Sequence, residues 1–266
     1  MLRYLLPAAL LAAAVAAGGA RCLDFIDLSS LLMTVGGTLS VLLISYPTER
    51  LTDLARLLRA SFTRQKQTRE DLAQELKRLA RLYRVNGSRA LEAQENGIGD
   101  PFLKRAVALL VDLEAEQEIS EQMESAAEEI SARYRSGEQI LATLAKLFPA
   151  FGLIGTLIGL VSLMREMATQ PPEALTASFG LAIMTTLYGA VLANAVVLPL
   201  AAKLQAAGEE RAAALRLIVE WVLALARGAA PSKVERTLNS LLSSNASELP
   251  RPAEPARGWR IFSWGR

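Results

Sequence analysis

Three stretches of this chain carry no charged residue, and their length limits what the chain can fold into. They run from Tyr4 to Ala20, from Leu28 to Tyr46 and from Ser178 to Leu200. A fourth stretch, Leu144 to Met164, holds one charge, Lys146, near its end, where a lysine side chain can reach the polar interface. Since about 20 apolar residues let a helix cross a bilayer, the sequence predicts an all-α membrane protein with four transmembrane helices and a helical cytoplasmic domain.

The first stretch also has features of a secretory signal, because Arg3 precedes it and small residues end it. Its cleavage is therefore an alternative to a retained first span. A lipoprotein signal ending at Cys22 is the weaker alternative, since Arg21 stands where such a signal has a small residue.

The distribution of Lys and Arg predicts the orientation. Sixteen lie from Arg50 to Lys146, at the start of the third span, and ten follow the fourth, whereas the two short connections hold only Arg21 and Arg165. Because cytoplasmic loops carry the excess of basic residues, both chain ends are expected in the cytoplasm. The predicted domains are a hairpin of two spans (1–47), a cytoplasmic helical domain (48–143), a second pair of spans (144–201) and a cytoplasmic C-terminal helix with a tail (202–266).

Composition excludes several kinds of function. The chain has no histidine and one cysteine, which removes histidine-based catalytic triads, the usual zinc sites and any disulfide within the chain. A net charge of +2 lacks the basic field of a nucleic-acid-binding protein. We expect no enzyme activity, no cofactor or metal site and no nucleic-acid partner.

The third and fourth spans each present a face of small residues with one hydroxyl near its middle. At 100° per residue, these faces comprise Pro149, Gly152, Thr156, Gly159 and Leu163 on the third span, and Thr186, Gly189, Ala190, Ala193 and Val197 on the fourth. Close helix packing is one interpretation. A narrow ion path lined by threonine and carbonyl oxygens is the other.

No charged residue lies deep in any predicted span. Since a proton path needs a titratable group in the membrane, any such carboxylate would have to come from another subunit. Pro149 and Pro199 each lie about one turn inside the cytoplasmic end of a span, where a proline removes a backbone hydrogen bond and can kink the helix.

Three separated motifs resemble the flagellar stator A subunit, that is, the MotA and PomA family within the group that includes TolQ and ExbB. They are Phe25–Leu32 with Val35–Thr38, Pro149–Leu160, and Thr185–Ala190 with Ala193, Asn194, Leu198 and Pro199. The resemblance covers residues 20–240 or so and agrees with the predicted topology.

This resemblance implies a ring of five copies in the bacterial inner membrane. The ring would surround a B-type subunit, similar to MotB or PomB, that supplies a membrane aspartate and a peptidoglycan anchor. Ion flow would turn the ring against the rotor switch protein. The resemblance also implies that Pro149 and Pro199 couple ion flow to torque.

The family's cytoplasmic charge motif is matched by Arg84, Gly87, Leu91 and Glu92. The resemblance therefore implies that Arg84 and Glu92 contact the rotor, and that Arg89 and Glu95 make secondary contacts with it. A solvated helix face is the alternative interpretation.

The driving ion is sodium or a proton, and the threonines favour sodium. Thr156 and Thr186 offer hydroxyl oxygens, which suit a dehydrated sodium ion, whereas a proton needs only a titratable acceptor. Two other functions stay open: a TolQ or ExbB type of energiser that drives an envelope process, and a membrane scaffold in which the small residues only pack helices.

Overall fold

The computed structural model describes residues 26–63, 69–94, 97–112, 115–167 and 175–247. These residues form helices and short connections, with no strand among them, which confirms the predicted all-α class. In chain order the helices are α1 (Leu28–Leu31), a π-helical segment (Leu32–Gly36), α2 (Gly37–Ser45), α3 (Thr48–Thr63), α4 (Arg69–Asn86), α5 (Ser88–Gln94), α6 (Pro101–Val111), α7 (Glu116–Glu166), α8 (Leu175–Val191), a second π-helical segment (Leu192–Val197), α9 (Leu198–Ala226) and α10 (Pro231–Ser247).

Three helical stretches of the described residues are long and apolar enough to cross a membrane. They lie in Leu28–Ser45, in Glu116–Glu166 and in Ser178–Ala226, and they include the second, third and fourth predicted spans. The predicted first span, Tyr4 to Ala20, lies outside the described residues, as do Cys22 and the tail after residue 247.

The chain divides into two compact units. Among the described residues, the first contains 26–63, 132–167 and 175–207, and the second contains 69–94, 97–112, 115–131 and 208–247. The first unit therefore holds the three apolar stretches, together with α3.

Asp27 fixes where the first described span begins. Its carboxylate accepts hydrogen bonds from the backbone N–H of Ser30 at 2.9 Å and of Ser29 at 3.4 Å, and from the Ser30 hydroxyl. These bonds, that of the Ser30 hydroxyl first, lower the pKa of Asp27 below its ordinary value, because they favour the charged carboxylate. Asp27 thus satisfies N–H groups that a helix start leaves without partners.

Both π-helical segments lie within apolar helices of the first unit. The second ends at Val197, and the N–H of the next residue, Leu198, bonds to the carbonyl oxygen of Ala193, five residues earlier. Pro199 follows directly. Because a proline has no N–H and its ring crowds the carbonyl four residues earlier, a wider helical turn just before Pro199 relieves that crowding.

The core of the first unit is apolar. It is centred on Ile140, Leu204 and Leu54. Helix α3 packs one face against this core, while the rest of that helix is exposed and charged. Gly137 lets these elements approach, since a Cβ there would lie 2.9 Å from the Leu204 side chain and 3.3 Å from that of Leu54.

The second unit has its own helical core. Trp221 is 1% exposed, and its indole N–H donates to the carbonyl oxygen of Leu76 at 2.8 Å, as a buried indole requires. Asp100 caps α6 by accepting from the N–H of Phe102 at 2.9 Å. The guanidinium of Arg211 forms a buried ion pair with the same carboxylate.

Candidate ion path

The backbones of α7 and α8 touch at glycines. A Cβ on Gly152 would lie 3.0 Å from the carbonyl oxygen of Thr185, and one on Gly159 would lie 2.9 Å from that of Ser178. In the opposite direction, a Cβ on Gly189 would lie 2.6 Å from the carbonyl oxygen of Phe148. These positions therefore accept only glycine without movement of a helix.

The structure separates the six predicted path residues into two sets. Gly152 and Gly159 are buried between α7 and α8, and Ala193 is buried in the apolar core of the first unit. Thr156 is half-buried, whereas Thr186 and Ala190 are exposed. Only the second set presents side chains toward the outside of the protomer, where a partner or an ion would meet them.

The two threonines differ in how they are held. The Thr156 hydroxyl donates to the carbonyl oxygen of Leu153 at 2.6 Å. The Thr186 hydroxyl has only long contacts, 3.4 Å to the carbonyl oxygen of Gly152 and 3.5 Å to that of Ala182. Such distances are weak hydrogen bonds, so the hydroxyl of Thr186 is available to another ligand.

Asn194 continues the exposed row that Thr186 and Ala190 form, and it is not among the residues predicted from the sequence to line the ion path. It is exposed, follows Thr186 and Ala190 at four-residue spacing, and lies in the second π-helical segment. Its amide nitrogen donates to the carbonyl oxygen of Ala190 at 2.9 Å. The four-residue spacing of polar and small residues was the signal in the sequence.

A second polar feature, also missed, lies on the buried side of these helices. Ser30, Thr34, Thr38 and Thr185 are each 0% exposed. Thr34 donates to the carbonyl oxygen of Ser30 at 2.9 Å, and Thr38 to that of Thr34 at 2.7 Å. In a membrane helix such hydroxyls satisfy carbonyl groups that a π-helical turn would leave without partners. At the start of the same helix, the N–H of Asp27 donates to the Tyr188 hydroxyl at 2.7 Å.

Pro149 and Pro199 are both exposed and both lie inside helices, Pro149 in α7 and Pro199 in the first turn of α9. The described apolar spans contain no Asp or Glu. The nearest carboxylate beyond the end of the third span is Glu166, which accepts from the Ser178 hydroxyl at 2.7 Å.

The predicted rotor residues lie in the second unit. Arg84 is in the last turn of α4, and Arg89 and Glu92 are in α5. All three are exposed, and no hydrogen bond or ion pair joins them to another described residue. Gly87 makes the turn between the two helices with a φ of 71°, which favours glycine. Glu95 lies outside the described residues.

Comparison with known proteins gives consistent matches. The sequence model of the MotA/TolQ/ExbB proton channel family matches residues 94–216. The chain is 33% identical over 215 residues to the uncharacterized protein YtxD of Bacillus subtilis, covering 81% of this chain and 78% of YtxD. It is also 33% identical over 219 residues to motility protein A of Borreliella burgdorferi, covering 82% of this chain and 84% of that protein.

Two solved structures share the fold. The C. jejuni MotAB structure has a TM-score of 0.81 at 25% identity, covering 96% of this chain and 97% of that chain. The flagellar MotAB stator complex from Bacillus subtilis has a TM-score of 0.79 at 25% identity, covering 94% and 99%.

Proposed function

Because this chain belongs to the motility protein A family, within the MotA/TolQ/ExbB proton channel family, we propose that it is the A subunit of a bacterial flagellar stator. In this role it conducts an ion together with a B subunit and converts the ion flow into torque on the rotor.

One observation carries the proposal: an exposed line of small and polar residues in spans without a carboxylate. Thr186, Ala190 and Asn194 follow one another on α8 and the second π-helical segment, and all three are exposed. Polar groups that faced lipid would be costly. A line of this kind fits a surface that meets a partner helix and an ion.

The missing carboxylate points to the partner. A B-type subunit similar to MotB or PomB would place its aspartate against this line and would anchor the complex to peptidoglycan. The likeness of this chain to chains of solved MotAB structures supports such a pairing. Ion flow past the aspartate would pass Thr156 and Thr186, while Gly152, Gly159 and Ala193 keep the path helices packed together.

Several copies of the chain would form the ring, and we propose five. Large apolar side chains of α7 and α8 stay exposed on the single chain, including Leu153 at 61% and Ile183 at 51%. Neighbouring copies and lipid would cover them. The ring would lie in the inner membrane with both termini and the second unit in the cytoplasm.

Sodium is the proposed ion, with the proton as the alternative. The threonine hydroxyls can replace part of the hydration shell of sodium. Pro149 and Pro199 would couple the ion's passage to movement, because each interrupts the hydrogen bonds of a path helix.

We propose that Arg84, Arg89, Glu92 and Glu95 contact the rotor switch protein. The exposure of the first three supports this role, since no described residue neutralises their charges.

Affinity purification of the tagged full-length chain from its native membranes, in mild detergent, tests the proposal. We expect a single-span protein with a membrane aspartate and a peptidoglycan-binding domain, at fewer copies than this chain. Untagged membranes serve as the control. A TolR-like or TonB-associated partner would assign the chain to envelope energisation instead, and a bare oligomer would favour a scaffold.

A further inference from the structure

The peptide group that joins Thr185 to Thr186 is contacted from two other helices. On one side lies Thr34, which is 0% exposed and whose hydroxyl is 3.4 Å from the carbonyl oxygen of Thr185. On the other side lies Gly152, where a Cβ would be 3.0 Å from the same oxygen and 3.2 Å from the Cα of Thr186.

This contact matters because the Thr186 side chain is not fixed by its own hydrogen bonds. Its hydroxyl contacts, at 3.4 and 3.5 Å, are both long. The position of that hydroxyl therefore depends on the backbone that carries it, and among the described residues the hydroxyl of Thr34 reaches the Thr185 carbonyl oxygen from another helix, in a contact that is also long, at 3.4 Å.

Thr34 is itself well held. Its one hydroxyl proton is shared: the short branch goes to the carbonyl oxygen of Ser30 at 2.9 Å, and the contact with Thr185 is the long branch at 3.4 Å. Thr34 lies in the π-helical segment Leu32–Gly36. The hydroxyl is thus placed by its own helix, and from there it reaches the neighbouring one.

We infer that Thr34 is a positioning residue of the ion path, one that sets the place of the Thr186 hydroxyl through the Thr185 carbonyl group. This inference rests on the proposed function, because it assigns a role within the ion path. It predicts that loss of the Thr34 hydroxyl weakens the interaction with the driving ion without breaking the complex.

Three substitutions test the inference. Thr34→Val keeps the side-chain shape and removes the hydroxyl, whereas Thr34→Ser keeps the hydroxyl. Thr38→Val is the matched control, because Thr38 is also 0% exposed but donates only to the carbonyl oxygen of Thr34, within its own helix. If Thr34→Val does not assemble, Thr34→Ala makes the same test.

The readout is motor speed in tethered cells, with external sodium varied at fixed pH and pH varied at fixed sodium. We expect Thr34→Val to raise the half-saturating concentration of the driving ion about two- to threefold, because the contact that it removes is the long branch of a shared hydrogen bond, with maximal speed retained. Thr34→Ser and Thr38→Val should stay close to the unsubstituted chain.

Two results overturn the inference alone: a Thr34→Val variant that matches Thr38→Val, or a Thr34→Ser variant that shifts as far as Thr34→Val. An unsubstituted chain that supports no ion-driven rotation overturns the proposed function itself, so the two failures are distinguishable.

Discussion

Gly189 lies so close to Gly152 that a Cβ on Gly189 would be 3.2 Å from the Gly152 Cα. The same Cβ would be 2.6 Å from the carbonyl oxygen of Phe148. The two path helices are therefore in backbone contact, and neither glycine leaves room for a side chain.

Substitution of Gly189 by alanine should consequently destabilise the chain. The new methyl group would meet backbone atoms, which cannot rotate away, and such overpacking costs about 1–3 kcal/mol. Thermal unfolding of the purified chain in detergent measures the effect. Gly180→Ala, in the same helix with nothing within 4 Å of the new Cβ, is the control and should change little. Equal stability of the two variants would contradict the packing described here.

The buried ion pair between Asp100 and Arg211 in the second unit predicts a larger loss of stability than the substitution of Gly189. The side chains of Asp100 and Arg211 are only 7% and 14% exposed. Arg211→Met should therefore leave the buried Asp100 carboxylate without its guanidinium partner, at a cost of about 3–5 kcal/mol, measured as the free energy of unfolding in denaturant.

The exposed pair between Arg227 and Glu116 is the control for that experiment. Its side chains are 58% and 43% exposed, and the hydrogen bond that Arg227 donates to the Glu116 carboxylate raises the pKa of Arg227. Because solvent screens such a pair, Arg227→Gln should change stability little. A loss of stability as large as that of Arg211→Met would mean that burial does not determine how much these ion pairs stabilise the fold.

The threonines predict an ion dependence. Thr156→Ala and Thr186→Ala should each reduce motor speed at low external sodium, because each would remove one of the oxygen ligands proposed for the ion. Ser40→Ala is the matched control, since the exposed Ser40 also bonds within its helix, to the Gly36 carbonyl oxygen at 2.8 Å. Unchanged sodium dependence in both threonine variants would argue for the proton.

The exposed charges of α4 and α5 predict a defect of torque alone. Arg84→Glu and Glu92→Lys should lower motor speed under load, while the amount of the A and B complex in the membrane stays constant. Arg105→Glu, an exposed change in α6, should leave the motor unaffected. Loss of the complex in the Arg84 variant would indicate a structural role instead.

Much of this arrangement is predictable from sequence, because a membrane span requires a long run of residues without charge. The absence of Asp and Glu from the spans, the glycines of α7 and α8 and the exposure of Arg84 all follow from composition and spacing. Helical periodicity does not reveal which side of a small-residue face meets its own chain. Gly189 and Thr186 belong to the same predicted face of the fourth span, yet Gly189 is buried and Thr186 is exposed.

The polar residues on the buried side were harder to predict. Thr34 and Thr38 read as ordinary members of an apolar span, because a hydroxyl that bonds to its own helix leaves no trace in hydropathy. The π-helical segments are equally invisible to a pattern with a period of 3.6 residues.

The most direct test of the account is motor rotation in tethered cells of a strain that lacks this chain and every other stator A gene. Cells without the chain should carry filaments that do not rotate. Expression of the chain with its B subunit should restore rotation whose speed rises with the transmembrane ion gradient. Filaments that stay motionless despite assembly of both subunits, or that rotate without the chain, would contradict the account.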